Sequence, residues 1–119
     1  MYKILTYGEI DRNQWEKLVR ESRTGTWFQT PEAYTLFASM PDLFMPFVLG
    51  IENSESRELR GVCVGYVTRE RSWLKQFFTR RAIINGGVCL ADDCGDAEVI
   101  ALLEAVKTKT RHLQSLDSD

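Results

Sequence analysis

Residues 82–106 read AIINGGVCLADDCGDAEVIALLEAV, and no other stretch restricts the fold as much. An apolar strand meets a glycine pair, an acidic turn and then a strongly periodic helix. Val99, Ile100, Leu102, Leu103 and Val106 fall at i, i+1, i+3, i+4 and i+7, so the helix is expected to lay that stripe on a core. Gly86 and Gly87 allow the strand to bulge or bend. A strand, a glycine loop and a helix also form the arrangement in which backbone N–H groups hold an anion.

The rest of the chain supplies the sheet this helix needs. Tyr2 to Tyr7 reads as a first strand, broken by Gly8. In IDRNQWEKLVRES, Asp11 is the N-cap of a first helix and Gln14 completes a capping-box pattern. Ile10 and Trp15 form a hydrophobic staple, and Trp15, Leu18 and Val19 share the inward face. In TPEAYTLFASMP, Thr30 caps a second helix, Pro31 takes its first position and Pro41 stops it. Tyr34, Phe37 and Ala38 are expected to point inward. FMPFVLGIE and LRGVCVGYVTRE are strands joined by the polar turn NSESRE, a hairpin pattern. The second is apolar on both faces, as a strand buried between helices would be. Gly61 and Gly65 share a face, where a helix or ligand can come close. RERSWLKQFFTRR reads as a connection.

The order is therefore β-α-α-β-β-β-α, an α+β fold of three layers with a mainly antiparallel sheet. One domain is expected over residues 1–112, with a polar tail that frays at 113–119. Its 119 residues suit a single modest core. A net charge of −2 gives no general attraction to nucleic acid or anionic membrane. No apolar run approaches the roughly 20 residues of a membrane span. The start lacks the apolar core of a signal peptide. Cys63, Cys89 and Cys94 form no C-x-x-C pair and His112 lies far from them, so neither a disulfide framework nor zinc is expected. The expected setting is cytoplasmic, with reduced thiols.

Three stretches resemble the first half of the GNAT superfamily of N-acyltransferases, and more narrowly the N-terminal part of FemAB-type transferases. TWFQTPEAYTLF is similar to the F-[QH]-[ST]-P-E-[WFY] opening of the second helix in that group. FVLGIENSESRELRGVCVGYV is similar to its strand, variable turn and glycine-containing strand, and INGGVCL to its glycine-rich fourth strand. The resemblance implies a fold that continues beyond this chain, and hence a domain fragment, truncated or naturally half-sized. One sheet edge is then expected to lack its neighbour and to seek a partner, such as a second copy.

In acetyl-CoA-dependent members of the superfamily, the loop before the third helix reads [QR]-x-x-G-x-[GA] and holds the CoA pyrophosphate. DDCGDA, residues 92–97, matches at Gly95 and Ala97, but Asp92 stands where Gln or Arg belongs, and Asp93 and Asp96 add charge. No Lys or Arg occurs between Arg81 and Lys107. At about 5 Å and an effective dielectric near 20, each carboxylate–phosphate pair repels by roughly 3 kcal/mol. A helix terminus returns only about 0.3–2 kcal/mol. The loop therefore reads as a degenerate cofactor site, its acids serving to cap the helix; no cofactor, metal or catalytic residue is expected. A divalent cation among the three acids is the alternative.

The segment 69–81 carries Arg69, Arg71, Lys75, Arg80 and Arg81, interleaved with Trp73, Phe77 and Phe78. Such a pattern can hold an anionic substrate, or it can be a solvated hairpin. The resemblance makes that substrate a lipid-linked cell-wall (peptidoglycan) precursor or an aminoacyl-tRNA. Gln29 and Tyr34, near the start of the second helix, are further candidates for ligand contact, with cap and core roles as the alternative. The expected function is the non-catalytic N-terminal portion of a FemAB-like acyl- or aminoacyltransferase, a scaffold and substrate-cleft wall partnered by a C-terminal GNAT-like half. The rivals are a stand-alone interaction module, using a sheet edge or segment 69–81, and a complete small acetyltransferase.

Overall fold

A computed structural model describes residues 2–68, 82–84 and 87–116. Its strands are β1 (Tyr2–Leu5), β2 (Phe44–Asn53), β3 (Leu59–Thr68), β4 (Ala82–Ile83) and β5 (Cys89–Leu90). Its helices are α1 (Arg12–Glu21), α2 (Pro31–Ala38) and α3 (Asp96–Leu116). All strand pairs are antiparallel, in the order β1-β2-β3, and both β4 and β5 pair with β3. The expected fourth strand is thus two short pieces in one position. Just before β5, Gly87 takes φ 72°, a conformation open to glycine.

Alternation along β2 and β3 sorts the core onto two faces. Val48, Val62 and Val64 point toward α1 and α2, where Trp15, Ala33 and Phe37 complete one cluster. Met45, Phe47, Leu49, Ile51, Cys63 and Val67 point the other way, onto Leu102, Val106 and Leu113 of α3. The result is an α+β domain with two helices on one face and the third on the other. Gly61 lies beneath α3. A Cβ there would meet Leu102 Cδ2 at 3.2 Å and Leu90 Cδ2 at 3.1 Å, so its bare surface serves a helix.

Several local expectations change in place. Ala33 is buried on α2 and Ala38 is exposed, because the face that meets the sheet runs through Ala33 and Phe37, one turn apart. On α3, Ile100 and Leu103 of the expected stripe are exposed at 55% and 48%, while Leu102 and Val106 are buried. The apolar belt is wider than the sheet can cover. Residues 113–116, expected in a fraying tail, are helical instead: α3 runs to Leu116, and Leu113 is anchored in the core.

At Gly87 and β5 the edge expected to be open is covered. Leu90 N–H donates to Thr24 Oγ1 at 2.9 Å, and the Ser22 hydroxyl donates to the Leu90 carbonyl. Gln29 Nε2 donates to the Gly87 carbonyl at 3.0 Å. The turn after α1 thus takes up backbone groups that would otherwise recruit another strand.

Candidate functional site

The loop 91–95 and the start of α3 form the natural place to look for a bound anion. Val99 N–H donates to the Gly95 carbonyl, so Gly95 is the N-cap. Its own N–H donates to Glu98 Oε1 at 3.0 Å. Glu98 is only 5% exposed, and its Oε2 accepts from Arg60 Nε at 2.9 Å. The positive end of α3 therefore already holds an anion, the protein's own carboxylate.

Arg60 makes that arrangement rigid. It rises from an otherwise apolar stretch of β3, with its side chain 13% exposed. Its Nη1 donates to Glu58 Oε1 at 3.1 Å. Its Nη2 reaches Asp93 Oδ1 at 3.0 Å and the Asp93 carbonyl at 3.1 Å. One guanidinium ties the β2–β3 turn, the loop and α3 together with charge-assisted bonds. Burial pushes the Glu98 carboxyl up, but the Arg60 and Gly95 bonds outweigh it and leave it below the ordinary value. The bond to Glu98 drives the Arg60 guanidinium in the opposite direction, up against its desolvation.

The loop acids play other parts than those expected. Asp92 accepts from the Arg23 N–H at 3.0 Å and lies 3.8 Å from its guanidinium, while Asp93 pairs with Arg60. The capping carboxylate is Glu98, three residues beyond the turn. Two of the three carboxylates taken to repel a diphosphate therefore have cationic partners, and occupancy by Glu98 is the stronger obstacle. Ala97 is the second residue of α3 and exposed. Among the described residues, no group of three His, Cys, Asp or Glu side chains could hold a metal ion.

Gln29 is fully buried. Its Oε1 accepts from Thr26 N at 2.6 Å, and its main-chain carbonyl accepts from Trp15 Nε1 at 2.6 Å. It is a structural tie between the turn, α1 and the bend at Gly87. Tyr34 is half-buried and stacks on Tyr7, ring centres 4.4 Å apart. Burial, then the neighbouring Tyr7, pushes its hydroxyl pKa up. The loop and these two residues are not brought together. Arg69, Arg71, Lys75, Arg80 and Arg81 lie outside the described residues. The cysteines are free; burial drives the Cys63 thiol up to about 12 and raises Cys89 and Cys94, which leaves them poor nucleophiles.

A second feature was not expected. Beside α1, a trench of about 560 Å³ runs between the helix, the β2–β3 turn and the loop at Asp92. On its lining, Gln14 Oε1 accepts from Leu59 N–H at 2.8 Å and Gln14 Nε2 donates to the Arg57 carbonyl at 3.3 Å. The capping box expected of Gln14 is thus only half made. Asp11 does accept from the Gln14 N–H at 3.3 Å, but the Gln14 side chain leaves for the turn. Just past α1 the Ser22 hydroxyl donates to the Leu90 carbonyl and the Arg23 N–H to Asp92. Arg57, on the rim, holds φ 60°, which costs a non-glycine residue about 1–2 kcal/mol.

Sequence reasoning missed Arg60, Glu98 and Arg57. A single charge inside LRGVCVG was the available sign of the first; nothing local marked its partner. No helix among the described residues is long and apolar enough to cross a membrane. Comparison with protein-family profiles, with curated proteins and with solved structures finds no match to this chain.

Proposed function

We propose that this chain is the N-terminal, non-catalytic portion of a FemAB-like N-acyltransferase or aminoacyltransferase, serving as scaffold and as one wall of a substrate cleft. The observation that carries the reading is the Glu98–Gly95–Arg60 arrangement. A GNAT-type donor site needs free amides at this helix start, and here Glu98 takes the Gly95 N–H under the hold of a buried guanidinium. Further support comes from the element order, from two helices on one sheet face with the third opposite, and from the glycine bend in the fourth strand position. In this reading the donor is bound by a C-terminal GNAT-like half. The basic residues of segment 69–81 bind an anionic substrate, a lipid-linked cell-wall precursor or an aminoacyl-tRNA, in the cytoplasm.

Titration calorimetry with coenzyme A tests the point directly. The expected result is no saturable binding up to about 1 mM, the level below which even weak specific sites register. Micromolar binding would restore the complete-acetyltransferase alternative. The gene supplies the other test. A reading frame that continues past Asp119 into a further α/β segment supports the transferase portion, and a stop there favours the interaction module.

One observation favours the alternative of an interaction module. Trp27 and Phe28 are exposed at 51% and 43%, with ring centres 5.6 Å apart, an apolar pair of the kind found at binding surfaces. The sheet-edge version of that alternative is weakened by the bonds that Ser22, Thr24 and Gln29 make to the edge.

A further inference from the structure

We infer that the trench beside α1 binds a short peptide with free termini, its carboxylate against Arg57 and Lys17 and its ammonium against Glu21. Three observations carry this, none involving the coenzyme loop's resemblance to a donor site.

The first is shape. Along α1 and its C-cap the lining runs from Gln14 to Ser22. Gln14 to Glu21 spans seven helical rises, about 10 Å at 1.5 Å each. An extended peptide of two or three residues spans about 7–10 Å. The volume of about 560 Å³ lies within the range of small-ligand sites, about 300–1,000 Å³. Leu18 and Leu59 give the lining an apolar part able to receive a side chain.

The second is charge. Glu58, Asp92 and Asp93 on the lining have cationic partners in Arg60 and Arg23. Lys17, Glu21 and Arg57 form no ion pair among the described residues. Arg57 sits at the Gln14 end and Glu21 one helical turn beyond Lys17, so the unpaired charges are ordered along the trench, cations first and carboxylate last. A ligand with opposite charges at its two ends matches that order in one direction only.

The third is the backbone at Arg57. A residue at φ 60° in a hairpin is ordinarily glycine or asparagine, which take that conformation readily. Strain held at the mouth of a cavity points to a use for the side chain.

The test follows backbone amides by NMR while trialanine, N-acetyl-trialanine and trialanine amide are added in turn. Trialanine is expected to shift Leu18, Glu21 and Asp93, and blocking either terminus is expected to weaken binding about tenfold, the loss of one charge-assisted contact. Arg57→Gly is expected to weaken trialanine binding by about the same factor without lowering the melting temperature. That combination separates a ligand role from a structural one. No shifts along the trench, equal binding of the blocked peptides, or unchanged binding by Arg57→Gly would each overturn the inference.

Discussion

The starts of α1 and α3 solve one problem in two ways. Both helices expose unsatisfied N–H groups and a positive dipole end, and each is capped by a carboxylate of the chain itself. At α1 the cap is local and wet: Asp11 is exposed and accepts from Gln14 N–H. At α3 the carboxylate lies inside the helix, is nearly buried and is held by a guanidinium from another strand. A cap in water leaves its helix start available to solvent and ligands. A buried, paired cap converts the helix start into a joint between elements. The glycine loop that resembles an anion cradle is the second kind.

The contrast predicts unequal costs. Arg60→Ala should be the most damaging change, because it strands a buried Glu98 carboxylate; removal of one partner of a buried pair costs about 3–5 kcal/mol. Urea denaturation measures it, and a loss below about 1 kcal/mol would reduce the joint to a surface pair. Asp11→Ala should cost about 1 kcal/mol, the usual value of an exposed N-cap. A loss equal to that of Arg60→Ala would erase the distinction between the two helix starts.

The smallest effect is expected in acid, since burial opposes the bonds at Glu98 and leaves only a net lowering. A folded carboxyl held below its unfolded value of about 4.3 binds fewer protons folded than unfolded through that range. Its contribution is complete above that value and is lost as the pH falls through the folded value. Stability of the native protein should therefore fall more steeply below about pH 5 than that of Glu98→Gln. Parallel curves would mean that the carboxyl is not held low.

Much of the architecture was legible because its causes are local. Thr30 accepting from Ala33 N–H, Pro31 at the helix start, and the alternation along Phe44–Asn53 and Leu59–Thr68 all act within a few residues. Covalent neighbours decide them, so the order β-α-α-β-β-β-α follows from the letters. The face of α3 was legible only in part: periodicity marks an apolar belt, but the width of the sheet beneath determines that Leu102 is covered and Ile100 is not.

Which carboxylate caps α3, which hydroxyls close the edge at Leu90, and where the trench lies were decided in three dimensions. Arg60 and Glu98 are 38 residues apart, Ser22 and Leu90 are 68 apart, and Gln14 finds Leu59 across 45. A buried polar group must be satisfied, but the rule does not say by whom. Only packing two helices on one face of the sheet and a third on the other brings these particular donors within 3 Å or so of their acceptors.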